Sequence, residues 1–257
     1  MSETSELKIR IVSEPSKENP FIIIYKPHNL PSAPLSDSDR DNALYKASLL
    51  FPEINNVKGR KEIEKGLVHR LDTVTSGLMM IATDQKFYDK MLEIQAKDLF
   101  VKQYLAFCDI CTDNAVTLGG FPPVFLNADK LRCNDNVCTK SCFRAFGDGS
   151  KAVRPVTEQS GMAALKKLKS KTEYTTDIQI LESDGEKVKV LCTISKGYRH
   201  QVRCHLAWNG LPVVNDPLYN SVVKKNGFEK DNKDIMFEAC SLLFPHPFTG
   251  EKIKFEI

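Results

Sequence analysis

Apolar residues in this chain gather in runs of strand length. The longest, such as Phe21 to Tyr25 and Gly77 to Ala82, are bounded by polar or turn-forming residues. Such runs suit strands inside a sheet and fall far short of the roughly 20 apolar residues a bilayer-spanning helix needs. The other strands are expected over Leu7 to Val12, Lys102 to Ile110, Glu173 to Leu181, Lys187 to Ile194, Ala239 to Phe244 and Lys252 to Ile257. Tyr104, Ala106 and Cys108 should share one sheet face, because side chains alternate along a strand. A Ser183-Asp184-Gly185 turn joins two of the strands as a hairpin.

Helices are fewer. One is expected from Asn42 to Phe51, stopped by Pro52. A second, capped by Asp84, runs to about Asp98, with Tyr88, Met91, Leu92 and Leu99 near one face. A short one covers Gly161 to Lys171, and another Arg199 to Trp208, with Val202 and Leu206 inward and Gly210 near its C-terminal cap. Thr112 to Val156 has little periodicity and many turn residues, so residues 112–170 read as an irregular excursion. The sum is an α+β fold with a mixed, mostly antiparallel sheet. Residues 1–6 are expected to be a flexible terminus and 7–257 one domain.

Hydrophobic residues at 42% and charged residues at 27% exclude wholesale disorder. A formal net charge of +3 permits a polyanionic partner without demanding one. Lys166, Lys167, Lys169 and Lys171 form the densest basic cluster, a solvated helix face or a phosphate contact. The polar, acidic start lacks a signal peptide's basic head and apolar segment, so a cytoplasmic address and no membrane are expected. Eight cysteines then read as reduced thiols. A zinc-stabilised interaction protein built on Cys108, Cys111, Cys133 and Cys138 is the rival, but the second pair is irregularly spaced for that metal.

The densest chemistry lies at His69-Arg70-Leu71-Asp72-Thr73-Val74-Thr75-Ser76-Gly77, a polar loop leading into an apolar strand. Without context, Asp72 and Arg70 read as turn-capping residues, with Thr75 and Ser76 bonding local backbone. Context changes this. H-R-L-D-x-x-T-S-G resembles the catalytic motif of the RluA-type pseudouridine synthases, whose essential aspartate falls on Asp72. Tyr25-Lys26-Pro27 is similar to that family's early K-P segment, and Lys102 to Ala106 to its tyrosine strand. His200-Gln201-Val202-Arg203-Cys204-His205-Leu206, followed by Asp216-Pro217-Leu218-Tyr219, resembles its third block. Four motifs in order carry weight that none has alone.

The resemblance implies a pseudouridine synthase fold with an active-site cleft across the sheet. It implies an isomerase that detaches a uracil in rRNA or tRNA, rotates it and rejoins it through C5. The reaction is redox-neutral, so no cofactor and no metal are expected. Asp72 acts as nucleophile or removes a sugar proton; the sequence leaves both routes open. Arg203 is the implied guanidinium partner of Asp72, offsetting the burial that raises a carboxyl's pKa. Tyr104 would stack on a base flipped into the cleft, and Arg70 would reach into the RNA it left. His69, Lys26, Arg199, His200 and Gln201 are the further candidate substrate-binding residues, with His69 also readable as structural.

Two departures concern recognition. The usual T-G-R-x-H-Q becomes Gly197-Tyr198-Arg199-His200-Gln201, shifting the arginine by one, and a common L-H-A becomes Phe237-Glu238-Ala239. Many relatives carry an S4-type RNA-binding domain, whereas a strand is expected here within about ten residues, so a stand-alone catalytic domain acting as a monomer is expected. RNA contacts would fall to 112–170, where Arg144, Arg154 and Phe143 sit. An RNA-binding module that lost the reaction is the alternative.

Overall fold

β2 (Phe21–Lys26) and β3 (Ser76–Ala82) are buried along nearly their whole length because both of their faces are covered. Phe21, Ile23, Leu78 and Met80 point toward Phe87, Tyr88 and Met91 of α2 (Gln85–Ala96), while Ile22, Ile24, Met79 and Ile81 point toward Leu44 and Ala47 of α1 (Ala43–Leu50). This is why these stretches are continuously apolar rather than alternating. Each such side chain stabilises the fold by roughly 1.5–3 kcal/mol on burial.

The computed structural model describes residues 9–111, 132–220 and 233–257. The chain packs as two units, Met1–Lys102 with Glu238–Ile257, and Gln103–Phe237. In the first, β1 (Arg10–Ser13) pairs antiparallel with β2, β2 antiparallel with β3, and β3 parallel with β9 (Phe237–Pro245). β10 (Lys252–Glu256) returns antiparallel on β9. Asn42 and Asp84 cap α1 and α2 by accepting from the amides of Tyr45 and Phe87. Of the expected face of α2, Tyr88 and Met91 are buried, whereas Leu99 lies beyond the helix and is exposed.

The second unit orders its strands β4 (Val101–Asp109), β8 (Lys187–Ile194), β7 (Tyr174–Ser183), β5 (Asn136–Phe146) and β6 (Ala152–Val156). β7 and β8 form the expected hairpin, its turn held by Asp184 accepting from the amides of Glu186 and Lys187. Tyr104, Ala106 and Cys108 share the buried side of β4. Among the described residues two α-helical segments belong here, the single turn α3 (Met162–Leu165) and α4 (Gln201–Trp208). Every residue of α4 is buried, not only Val202 and Leu206.

β5 and β6 correct the reading of 112–170 as irregular over its described part. The inward side chains of β5 include Thr139 and Ser141, so hydrophobicity does not alternate there. Those hydroxyls are matched instead: Ser141 to His205 at 2.9 Å, and Thr139 accepting from Asn209 at 2.8 Å. The expectations for residues 1–6 and 112–131 lie outside the described residues.

Candidate active site

The loop bearing Asp72 leaves the sheet at a defined point. Gly66 to Val68 still run beside β3: Ala82 donates to the Gly66 carbonyl at 2.7 Å and Val68 donates to the Met80 carbonyl at 3.2 Å. The next ladder donor, the Met80 amide, meets the His69 ring instead, donating to Nε2 at 3.1 Å. A side chain thus takes over from the main chain where the loop departs. His69 packs edge-on against Phe100, and burial, with the Lys102 charge acting the same way, lowers its pKa to about 3. A neutral ring is required to accept that bond.

Beyond His69, the loop is tied down residue by residue. Ser32 Oγ accepts from the Leu71 amide at 3.0 Å and donates to the Leu71 carbonyl at 2.7 Å. The Asp72 carbonyl accepts from Thr75, closing a turn. The buried Lys26 ammonium donates to the carbonyls of Pro27, Leu30 and Thr73 at 2.9, 2.8 and 3.1 Å, and His28 Nδ1 lies 2.8 Å from the Val74 carbonyl. Burial pulls Lys26 down to about 7, against the opposing pull of the Asp72 charge. Arg70, by contrast, is exposed and pairs with Glu64 at 2.9 Å.

Gly77 ends the loop at φ +118°, where a Cβ would lie 2.4 Å from the Ala239 carbonyl oxygen. Only glycine admits the parallel Gly77–Ala239 register between β3 and β9. The Phe237-Glu238-Ala239 departure acquires a meaning here. Ala239 is the small neighbour of Gly77, and Glu238 accepts from the Tyr25 hydroxyl at 2.6 Å.

In the second unit, Arg203 on α4 is buried, with Nε and Nη2 donating to the two oxygens of buried Asp216 at 2.8 Å each. Burial drives the Asp216 carboxyl up, but Arg203 and the amides of Leu218 and Tyr219 outweigh it and leave the pKa below the ordinary value. Tyr219 stands 5.4 Å from the guanidinium, its hydroxyl 3.1 Å from His200 Nδ1 and accepting from the Val153 amide at 2.9 Å. Gln201 is buried with its amide bonded to Thr175, Thr176 and Tyr198, and Arg199 donates to the carbonyls of Ser150 and Ala152. Tyr104 stacks on Phe237, ring centres 5.1 Å apart and planes 9° from parallel.

Sequence reasoning left Asp216 without a role and passed over Ser32 and His28. Asp216 stood in a quoted motif and was traceable; Ser32 and His28 carried no signal, since their contacts span 39 and 46 residues. Cys108 is fully buried, which raises its thiol pKa and opposes metal ligation. Among the described residues no three His, Cys, Asp or Glu side chains cluster to hold a metal.

A polar loop pinned at the head of a doubly covered strand, within an α+β fold, marks a class of scaffold that fixes the main chain around a single aspartate. Residues 20–208 match the model of the family described as RNA pseudouridylate synthase, and the chain belongs to that family. RNA pseudouridine synthase 1 of Oryza sativa subsp. japonica is 26% identical over 216 residues, 74% of this chain and 58% of that protein. Ribosomal large subunit pseudouridine synthase D of Vibrio parahaemolyticus is 23% identical over 98% of this chain and 68% of its own. The structure of Human RNA Pseudouridylate Synthase Domain Containing 1 superposes with a TM-score of 0.65 at 20% identity, covering 100% of this chain and 86% of that one. This likeness shows the shared fold. The chain spans between about half and three-fifths of the rice relative and of an uncharacterized Bacillus subtilis RNA pseudouridine synthase, at 58% and 51%.

Proposed function

We propose that this protein isomerises uridine to pseudouridine in structured RNA, rRNA or tRNA, with Asp72 as the acting carboxylate. The observation that carries the reading is the fixation of the Asp72 loop on both sides, through Leu71, Thr73 and Val74. Preorganisation of this kind serves a group that must meet a reacting atom within tenths of an ångström. Asp72 attacks the sugar or base, or takes a sugar proton; either leaves uracil detached for rotation and rejoining through C5. Arg203 serves as its counter-ion, oriented by Asp216, and Tyr104 supplies a ring for the flipped base.

Within this reading, Arg70 reaches toward the RNA, since its side chain is exposed. Lys26, His69 and Gln201 position the site rather than contact substrate, because their polar atoms hold protein groups. His200 and Arg199 lie near the end of the β5–β6 hairpin and face RNA from there. The same proposal takes the protein as a cytoplasmic monomer that uses no cofactor. Among the described residues no helix is long and apolar enough to cross a membrane.

The test is release of tritium from RNA labelled at uridine C5. The natural chain should release it, and Asp72→Asn should release none while still binding RNA. Full release by that variant sinks the reading. Binding without turnover in the natural chain favours a module that lost the reaction.

A further inference from the structure

The β5–β6 hairpin places two arginines directly opposite one another, Arg144 facing Arg154 in the antiparallel register. Like charges in that position destabilise a sheet. The repulsion is felt, since burial and then the Arg144 charge both lower the Arg154 pKa. Neither guanidinium turns away. Arg154 lies 3.1 Å above the centre of the Phe146 ring and Arg144 lies 5.5 Å from it, so one phenyl ring organises both cations. The Arg144 Nε has no hydrogen-bond partner among the described residues. Lys140 extends the row along the same face of β5, and residues 136–156 hold four basic side chains and one acidic. This hairpin therefore carries as much net charge as the whole chain, whose formal value is +3.

The opposite face of the hairpin accounts for the fold: Phe143 and Val153 pack there against Cys204, Ala207 and Trp208 of α4. On the arginine face Lys140 is exposed and Arg144 and Arg154 are only partly buried. A strained cation pair held on a rigid strand scaffold suits a phosphate group, whose oxygens take the planar guanidinium edge in two parallel bonds. We infer that the Arg144–Arg154–Lys140 face of this hairpin is a docking surface for the phosphodiester backbone of RNA. The inference rests on the uridine-isomerising reading for the identity of its partner. It assigns that surface a role in holding the strand, not in the chemistry.

The experiment uses the Asp72→Asn full chain, so that binding is measured without turnover, with unfractionated tRNA and a ribosomal RNA fragment as probes. The dissociation constant is followed against KCl concentration for this parent and for the same chain carrying R144Q and R154Q. Removing two phosphate contacts should lower the slope of log affinity on log salt by about 1.4–1.8 and weaken binding roughly tenfold near physiological salt. K252Q with K254Q, an equal charge change on the exposed face of β10, should leave the slope within about 0.5 of the parent. Relief of the like-charge contact should also leave the melting temperature of the arginine double variant equal to or above the parent's. Parent-like affinity and slope in that variant would overturn the surface, as would lost binding together with a lowered melting temperature, which marks a structural role. Tritium release is scored separately on chains that keep Asp72. A protein that docks RNA through the hairpin yet releases no tritium refutes the reaction and leaves the surface standing.

Discussion

The two units fix their key residues by opposite means. In the first, a buried cation, Lys26, holds main-chain carbonyls and so shapes the loop that carries Asp72. In the second, a buried anion, Asp216, holds the side chain of Arg203 and leaves the helix backbone to itself. The difference follows from local structure. Asp72 sits in a loop with no ladder of its own, so its backbone must be supplied with partners. Arg203 sits in α4, whose backbone is already bonded, and only its long side chain has freedom to lose.

The largest effect should come from the second unit. Asp216→Ala strands a buried guanidinium, and breaking such a pair costs about 3–5 kcal/mol. Urea unfolding should show that loss, with Asp216→Asn intermediate because it keeps one accepting oxygen. Lys26→Met should cost less, roughly 2–3 kcal/mol, since three carbonyls, two of them only partly buried, lose a charged donor. Its signature is functional: tritium release should fall at least a hundredfold in kcat while KM changes little, since the loop rather than the RNA surface is disturbed. A Lys26→Met protein with unchanged kcat would break the contrast between the units.

How much of this was legible varies by the same physics. β2 and β3 could be read because burial on both faces leaves an unbroken apolar run, and α2 because Asp84 and its apolar spacing mark the start. β5 could not, because its inward Thr139 and Ser141 satisfy each other's surroundings through Asn209 and His205, partners far off in sequence. Asp72 and Arg203 were legible as types in a motif. That Arg203 is gripped by Asp216 was not, since an acidic residue before Pro217 reads equally well as a turn.

Each unit also holds a histidine whose pKa burial lowers, His69 and His205, and these sharpen the comparison at a third level. His69 accepts from a backbone amide, while His205 lies between the hydroxyls of Ser141 and Thr176, at 2.9 and 2.8 Å. Burial lowers both to about 3. The unfolded rings take up protons from about pH 6.5 downward, whereas the folded ones resist until about pH 3. Stability from each is therefore complete above pH 6.5 and drains away as pH falls toward 3. His205→Gln should flatten part of that acid limb in urea titrations between pH 6.5 and 4. An unchanged slope would show that the ring is protonated in the fold.

The smallest stability effect, and the most diagnostic, concerns two exposed arginines. Arg70 pairs with one carboxylate at the surface, Glu64, a contact worth about 0.2–1 kcal/mol at most. Arg199 donates to two backbone carbonyls at the end of the β5–β6 hairpin, which adds about 1 kcal/mol or slightly more. Arg70→Gln should leave the melting temperature within error and raise KM for RNA several-fold with kcat nearly constant. Arg199→Gln should lower the melting temperature measurably. If the two variants exchange these signatures, then Arg70 is part of the clamp on the Asp72 loop, and the first unit too holds its proposed acting residue through a side-chain ion pair.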